Sequence, residues 1–257
     1  TYAGEILDPW FSHGLHPILL ERSYKLSGIL NGIDTKSYDP ETDKDIFYNF
    51  SAKSPENKAK DKAALQELFG LPVNADTPLI GIVSRLVAHK GFDLIKRVMW
   101  DLVASTDMQL VLLGSGDWEY ESFFKELAAA FPGKVGVRLG FIPDMARKIY
   151  AGSDMFLMPS KSEPCGLSQM VALRYGSIPI VRETGGLKDT ITDSGDGQGN
   201  GFTFKSYDAY DMLDAIHRAL AAYYDKKHWS TLVTRALKCD NSWGRSAREY
   251  IKLYQSL

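Results

Sequence analysis

Short apolar runs alternate with stretches of helical periodicity along most of the chain, beginning at Pro78. This alternation is typical of βα units that build a parallel sheet buried on both faces. Each apolar run is bounded by glycine, proline or polar residues, which favours strands over buried helices. We predict six strands, at residues 79–84, 109–113, 134–139, 155–158, 177–181 and 201–204.

The segments between these strands carry the helical pattern. It is clearest in 208–224, where one face is apolar and consists of Leu213, Ile216, Leu220 and Tyr223. Before Pro78 the pattern is weaker. Residues 39–62 are charged and lack periodicity, so we predict a surface loop that leads into a helix near 63–69. Because crossovers between parallel strands are right-handed, the predicted fold class is α/β, a Rossmann-like doubly wound parallel sheet.

Composition narrows the classes of function. The chain has 257 residues, 44% of them hydrophobic, which is enough to bury a large core. Its formal net charge of -2 provides no field that would recruit nucleic acid or an anionic membrane. No apolar run approaches the roughly 20 residues that span a bilayer. Cys165 and Cys239 are the only cysteines, and nothing resembles a secretory signal, so we expect a soluble protein in a reducing cytoplasm.

Ligands of doubly wound sheets bind outside the carboxyl ends of the strands, so the loops at those ends are the candidate site. The first loop places Arg85 and Lys90 five residues apart before a predicted helix at Gly91. Such a pair favours a phosphate group, although a solvated basic turn explains it equally well. The second loop, Gly114-Ser115-Gly116, would let a backbone approach a ligand, but a tight turn without a ligand is the default for it.

The third loop is the most informative, because it places a carboxylate, Glu163, after the strand at 155–158 and just before a predicted helix. The N–H groups of Gly166, Leu167 and Ser168 at the start of that helix would point into the same crevice. Such a site suits a diphosphate beside a sugar. The alternative is that Glu163 only caps the helix electrostatically. Cys165 lacks an activating partner in the sequence and is not predicted to be a nucleophile.

The fourth loop, with Thr184-Gly185-Gly186-Leu187, is either an anion-binding nest or a flexible turn. The sequence has no zinc-ligand spacing, no Gly-x-Ser-x-Gly elbow and no P-loop, so we expect neither a metal nor a cofactor. Asp43-Lys44-Asp45 forms an Asp-x-Asp in a charged stretch without a preceding strand, and we assign it no role.

These residues resemble a known family. The chain is similar to bacterial glycogen synthases and plant starch synthases along nearly its whole length. The matching segments are Thr1-Tyr2-Ala3-x-Glu5-Ile6, Gly28-Ile29-Leu30-Asn31-Gly32-Ile33-Asp34, Val83-Ser84-Arg85-Leu86, Lys90-Gly91, Gly114-Ser115-Gly116-Asp117, Tyr150-Ala151-Gly152-Ser153-Asp154-Met155, Glu163-Pro164-Cys165-Gly166-Leu167, Tyr175-Gly176, Thr184-Gly185-Gly186-Leu187-x-Asp189-Thr190 and Ser242-Trp243.

The resemblance implies a GT-B glycosyltransferase with two Rossmann-like domains, of which this chain is the C-terminal half. Residues 1–25 are then a remnant of the interdomain region, and 26–240 are the nucleotide-sugar-binding domain. Residues 241–257 are a helix that crosses back to the N-terminal domain. That N-terminal domain, with its glycine loop and much of the glucan surface, would be missing. We therefore expect the fragment to be inactive by itself.

The resemblance also implies roles for individual residues. Glu163 corresponds to the active-site carboxylate near the transferred glucose, and Phe141 to an aromatic residue against the adenine. The other donor-binding positions are Arg85, Lys90, Gly114, Ser115, Gly116, Cys165, Gly166, Leu167 and Ser168. The sequence departs from the family at His89, Arg147 and Asn200, and Arg147 puts the adenine side most in doubt.

The reaction implied by the resemblance is transfer of glucose, with retention, from ADP-glucose to the nonreducing end of an α-1,4-glucan. UDP-glucose remains open as an alternative donor. Two alternatives to this function also remain. One is another sugar-nucleotide transferase of the same architecture, and the other is a nucleotide-sugar-binding module without catalysis.

Overall fold

The computed structural model describes residues 1–256, which form one six-stranded sheet flanked by helices. The strands are β1 Leu79–Leu86, β2 Gln109–Gly116, β3 Val135–Leu139, β4 Met155–Met158, β5 Ile178–Arg182 and β6 Phe202–Phe204. The helices are α1 Tyr2–Glu5, α2 His16–Glu21, α3 Lys58–Leu68, α4 Phe92–Ser105, α5 Trp118–Ala130, α6 Pro143–Gly152, α7 Ser168–Arg174, α8 Gly185–Thr190, α9 Ala209–Tyr224, α10 Lys226–Leu237 and α11 Trp243–Gln255.

All strand pairs are parallel, and the order across the sheet is β3-β2-β1-β4-β5-β6. This order confirms the predicted doubly wound, Rossmann-like class. The chain winds outward from β1 to β3, then returns to place β4 on the other side of β1 and winds outward again. The order therefore reverses between β1 and β4, and a crevice forms outside their carboxyl ends.

The two faces of the sheet are separated by the alternation of side chains along each strand. Leu79, Val111 and Leu113 face α3 and α6, where they form a small cluster with Leu65 and Ile149. The larger cluster is built by the alternate strand residues together with apolar residues of α4, α5 and α9. The predicted helix at 208–224 is observed as α9, and the carboxylate of Asp208 caps its first turn by accepting from the N–H groups of Tyr210 and Asp211.

Two strands extend further than predicted. β1 continues to Leu86 and β2 to Gly116, in a register that pairs Ser84 with Gly114 and Leu86 with Gly116. The second predicted loop is therefore largely strand. A Cβ atom at Gly114 would lie 2.0 Å from the carbonyl oxygen of Ser84, and one at Gly116 would lie 2.3 Å from that of Leu86. The backbone that these glycines allow to approach is the neighbouring strand.

The prediction of a surface loop over 39–62 was wrong for residues 58–62, which are helical. α3 begins at Lys58, and the side chains of Lys58, Asp61 and Lys62 are buried, as is that of Asp43. Three of these charges meet a partner from a distant part of the chain: Lys58 donates to the carbonyl of Ala151, Lys62 pairs with Asp154 at 2.7 Å, and Asp43 pairs with Arg147. Asp61 accepts instead from the N–H groups of Phe47 and Tyr48. Hydrophobic periodicity does not reveal a helix whose buried face is charged. None of the helices in residues 1–256 combines the length and the apolar character needed to cross a membrane.

Candidate active site

Two clefts open side by side at the carboxyl end of β1. They share three lining residues, Val83, Ser84 and Arg85, and so form one continuous groove. One cleft lies toward β4 and has a volume of about 200 Å³, and the other lies toward β2 and has a volume of about 390 Å³. The groove therefore occupies the position where the strand order reverses, which is where doubly wound sheets bind their ligands.

The smaller cleft is polar and contains the two predicted cations. Arg85 and Lys90 line it together with Ser160 and Ser168. Arg85 is exposed at the end of β1, whereas Lys90 is partly buried in the short 3-10 turn that precedes α4. The spacing of five residues is thus the span of the turn between β1 and α4. Two cations and two hydroxyl groups around a small cleft provide the donors that a phosphate or diphosphate requires.

Glu163 lies beside this cleft and pairs with Lys90. The ammonium Nζ of Lys90 is 2.5 Å from Oε2 of Glu163, and the hydroxyl of Ser160 donates to the same oxygen at 3.2 Å. Glu163 is only 8% exposed, so its charge depends on these two donors. The structure therefore places the predicted carboxylate and one predicted cation in direct contact, which the sequence did not anticipate.

The larger cleft is mostly apolar. Phe141 and Ile142 form one side of it, and Gly114 and Ser115 at the end of β2 form another. Phe141 is 90% exposed, which is unusual for so large an apolar side chain next to a cleft. An aromatic face in this position can stack on a planar base. The predicted donor-binding residues Phe141, Gly114 and Ser115 therefore line the same cleft.

The remaining predicted residues lie on the loop before α7. Ser168, the first residue of α7, lines the polar cleft. Gly166 adopts a φ of +68°, and Leu167 precedes the helix with its side chain half-exposed. α7 itself has only seven residues. Cys165 is a free thiol, and burial raises its pKa, which disfavours the thiolate form.

The fourth loop binds a carboxylate from another part of the same chain. Glu5 accepts hydrogen bonds from the backbone N–H of Gly185 and from the hydroxyl of Thr184. Of the two alternatives predicted for this loop, the observed contacts favour an anion-binding nest over a flexible turn. The anion that the loop binds is the carboxylate of Glu5. The sequence contained Glu5 in a matching motif but gave no sign of this contact, which spans 180 positions.

Arg147 lines neither cleft of the groove. Its guanidinium donates to the carboxylate of Asp43 at 2.9 Å and to Ser37, and it also stacks on the ring of Tyr38. The phenol of Tyr175 donates to the same carboxylate of Asp43. Arg147 therefore fastens the segment that precedes α3 to the domain, and Asp43, to which no role was assigned, is the buried centre of this contact.

The two other departures from the family, His89 and Asn200, both make hydrogen bonds within or between loops of the domain. Asn200 closes the loop between α8 and β6, accepting from the N–H of Thr192 at 2.8 Å and donating to the carbonyl of Thr190 at 3.0 Å. The carbonyl of His89 accepts from the N–H of Lys161 and links the cation turn to the Glu163 loop. Burial, followed by the charges of Lys90 and Arg85, lowers the pKa of the His89 imidazole.

Sequence reasoning missed Ser160 as a member of the site. It is fully buried, it donates to Glu163, and it lines the polar cleft. The signal that could have identified it is its position, because a hydroxyl residue that follows a strand end by two residues lies at the mouth of the crevice.

The fold and the groove define a class of protein, and comparison with known proteins gives its family. The chain belongs to the glycosyl transferases group 1 family, whose model matches residues 66–232. It is 50% identical over 256 residues to a glycogen synthase of Bacillus licheniformis, covering 99% of this chain and 53% of the relative. It is 52% identical over 260 residues to a glycogen synthase of Clostridium acetobutylicum, covering 100% of this chain and 54% of the relative. The chain thus spans about half the length of these curated relatives.

Solved structures give the same picture. The catalytic domain of starch synthase IV from Arabidopsis thaliana, bound to ADP and acarbose, superposes with a TM-score of 0.93 at 39% identity, covering 100% of this chain and 54% of that one. Anabaena HepE, in complex with UDP and glucose, superposes with a TM-score of 0.63 at 18% identity, covering 98% of this chain and 70% of that one. The second likeness concerns the fold alone.

Proposed function

We propose that this chain is the donor-binding half of a glycogen synthase, which transfers glucose from ADP-glucose to the nonreducing end of an α-1,4-glucan with retention. The observation that carries the proposal is the continuous groove at the end of β1. Its apolar cleft with Phe141 suits the base, its polar cleft with Arg85 and Lys90 suits the diphosphate, and Glu163 lies beside the phosphate end. The glycogen synthase relatives support the transfer reaction, and the likeness to a starch synthase bound to ADP supports the nucleotide.

The contact between Lys90 and Glu163 suggests how the donor changes the site. In the free chain each charge compensates the other at 2.5 Å. A diphosphate in the polar cleft offers Lys90 a second anion, and the carboxylate is then free to face the glucosyl group. Donor binding would thus convert an internal ion pair into two separate contacts with the substrate.

Each group would then act on charge that develops during transfer. The glucosyl carbon becomes cationic as its bond to the diphosphate lengthens, and the leaving diphosphate gains negative charge. Arg85 and Lys90 stabilise that leaving group, while the carboxylate of Glu163 stabilises the cationic carbon. Once the donor is bound, these groups would already surround the charges that develop, so the stabilisation would cost little further reorganisation.

The proposal extends to the parts of the chain outside the groove. Residues 26–240 are the donor-binding domain, 1–25 belong to the interdomain region, and 241–257 contain the helix that contacts the other half of the synthase. The surface of α11 supports this, because Ser246 is its one buried residue within 1–256, whereas Trp243, Ile251 and Tyr254 are half-exposed or more. An aromatic helix face of this kind suits a protein partner.

Isothermal titration of the 257-residue chain with ADP and with UDP tests the donor assignment. We expect ADP to bind at millimolar concentrations or tighter, and the Phe141→Ala variant to bind ADP more weakly while retaining its fold. The control is Tyr210→Ala, which removes an exposed aromatic residue from the start of α9. Absence of ADP binding by the parent chain would contradict the donor site.

Glucose transfer separates the synthase from the two alternatives. We expect the full-length protein to elongate glycogen from ADP-glucose, and the 257-residue chain alone to bind the nucleotide without transferring glucose. If the full-length protein binds ADP-glucose and transfers nothing, it is a non-catalytic module. Transfer to an acceptor other than an α-1,4-glucan would indicate a different sugar-nucleotide transferase.

A further inference from the structure

The carboxylate of Glu5 reaches from α1 to the loop between β5 and α8. The backbone N–H of Gly185 donates to its two oxygens at 2.9 and 3.1 Å, and the hydroxyl of Thr184 donates at 3.0 Å. Thr184 is fully buried and Glu5 is half-buried. Hydrogen bonds to an ionised acceptor are roughly twice as strong as neutral ones. Glu5 therefore fixes this loop from outside the sheet.

The loop that Glu5 fixes also holds the backbone around Glu163. The N–H of Gly186 donates to the carbonyl oxygen of Glu163 at 3.0 Å. The guanidinium of Arg182 donates to the carbonyl oxygen of Lys161 at 2.7 Å. Two carbonyl groups, one on each side of Ser162, are thus bound by the end of β5 and by the loop that follows it. These contacts fix the backbone from which the Glu163 side chain extends toward Lys90 and Ser160.

The two loops pack backbone against backbone. Gly185 has a φ of +43°, and a Cβ atom there would lie 2.0 Å from the carbonyl oxygen of Glu163. A Cβ atom at Gly186 would lie 1.9 Å from the carbonyl oxygen of Cys165. With no side chains between them, the loops have no soft contact that could absorb a displacement. A shift of the Thr184-Gly185 segment is therefore passed on to the Glu163 segment.

Glu5 also affects, through its charge, the contact between Arg182 and the carbonyl oxygen of Lys161. Arg182 is half-buried, and its Nε has no hydrogen-bond partner among residues 1–256. Burial lowers the pKa of Arg182, and the negative charge of Glu5 opposes that shift. Glu5 thus helps to stabilise the guanidinium that holds the carbonyl of Lys161.

We propose that Glu5 is a positioning residue for the transfer reaction: by holding Thr184 and Gly185, it fixes the loop that carries Glu163 at the edge of the diphosphate cleft. This inference rests on the proposed role of Glu163 in catalysis, but its structural part concerns the 257-residue chain alone. Glu5 lies in the segment before the sheet domain, so the placement of the carboxylate depends on a residue 158 positions away.

Hydrogen exchange of the 257-residue chain tests the structural part. In Glu5→Ala the amide of Gly185 loses a charge-assisted hydrogen bond, so we expect it to exchange faster by on the order of tenfold or more. We expect a smaller increase at Gly186 and across 160–168. Peptides from β2 and β3 report whether the variant is folded and should exchange as in the parent. The matched control is Glu21→Ala, which removes an exposed carboxylate from α2. Parental exchange at 160–168 in folded Glu5→Ala would overturn the proposal.

Steady-state kinetics of the full-length protein tests the catalytic part. A small misplacement of a reacting group lowers turnover strongly, so we expect kcat of Glu5→Ala to fall about tenfold or more while KM for the donor changes less than about twofold. Glu5→Gln keeps an acceptor oxygen for Gly185 and should recover part of the loss. Unchanged kcat in Glu5→Ala overturns the positioning role, as does a rise in KM alone. If the parent protein transfers no glucose, the proposed function fails, and the exchange experiment alone decides whether Glu5 fixes the loop.

Discussion

The two ends of the sheet each contain a lysine paired with a carboxylate, and the two pairs differ in what else surrounds the ammonium group. At the amino end, Lys62 donates to Asp154 at 2.7 Å, to the hydroxyl of Tyr223 at 2.7 Å and to the carbonyl of Ala75 at 3.0 Å. An ammonium group has three donors, so all of them are used. At the carboxyl end, Lys90 has Glu163 as its one partner among residues 1–256. Two donors of Lys90 remain for a ligand.

The number of unused donors on the lysine distinguishes a structural ion pair from a functional one more clearly than burial does. Glu163 and Asp154 have similarly low exposure, with side chains 10% and 12% exposed. Asp154 makes a second hydrogen bond within the fold, accepting from the backbone N–H of Leu79 at 2.9 Å. Glu163 instead borders an open cleft. A saturated pair is expected to determine stability, whereas a pair with unused hydrogen-bonding capacity is expected to determine binding and catalysis.

The largest expected effect is on stability, at the amino end. Lys62→Met leaves Asp154 buried without its cation, so we expect the free energy of unfolding to fall by about 3 to 5 kcal/mol. Chemical denaturation measures this, with Lys125→Met, an exposed lysine of α5, as the control. Adding Asp154→Asn to Lys62→Met removes the unpaired charge and should recover part of the loss. A fall of less than about 1 kcal/mol in Lys62→Met would mean that the saturated pair is not structural.

At the carboxyl end, the expected effect falls on turnover. Glu163→Gln keeps the shape of the side chain but loses its charge, so kcat of the full-length protein should fall about 10²-fold or more while donor affinity changes little. Initial rates, donor affinity and melting temperature of the same variant measure this, with Glu126→Gln, an exposed residue of α5, as the control. Near-parental turnover would remove Glu163 from the chemistry. A loss of stability without selective loss of turnover would support the helix-cap alternative.

Arg85 should affect nucleotide binding without affecting the stability of the fold. Arg85→Ala removes charge-assisted contacts to a phosphate, so we expect ADP binding to weaken by about 1.5 to 3 kcal/mol, and Lys90→Ala to act in the same direction. Because Arg85 is exposed, the free energy of unfolding should change by less than about 0.5 kcal/mol. Calorimetry and denaturation of the 257-residue chain measure the two quantities, with Arg97→Ala, an exposed residue of α4, as the control. If both variants bind ADP like the parent, the phosphate assignment is wrong.

The smallest expected effect is on the pH dependence of the free energy of unfolding, through Asp61 at the amino end of the sheet. Burial raises the pKa of Asp61 to about 6 from its ordinary value of 3.8. The folded chain therefore binds more protons than the unfolded chain between these values, and the contribution of Asp61 to stability falls as pH rises through that window. Relative to Asp61→Asn, the parent should lose about 1 kcal/mol of unfolding free energy per pH unit from pH 4 to 6. Denaturation of both proteins across this range measures the difference, which other carboxylates do not affect because they are common to both. A constant difference would contradict the assignment.

Most of the fold was predictable because it depends on a repeating local pattern. Every predicted strand is present, and β4 has the predicted bounds. The ends of β1 and β2 were not predictable, since residues such as Arg85 and Gly116 have no apolar periodicity and are strand only because the two strands pair in register. α3 was misjudged at its start for a similar reason. The buried side chains of its first two turns are charged, and the partners of Lys58 and Lys62 come from α6, from α9 and from the residue that precedes β4.

The sequence by itself determined which side chains come to the carboxyl ends of the strands, because a parallel sheet brings all of those ends to one edge. It pointed to Arg85, Lys90 and Glu163 in this way, whereas Phe141 was predicted only from the resemblance to a known family. The tertiary structure alone decided how these groups pair, because pairing depends on distances of a few ångströms between loops far apart in sequence. The contact of Lys90 with Glu163 and the position of Glu5 against Gly185 are of this kind. Local sequence sets the direction and spacing of a side chain, whereas its partner is set by the packing of the whole chain.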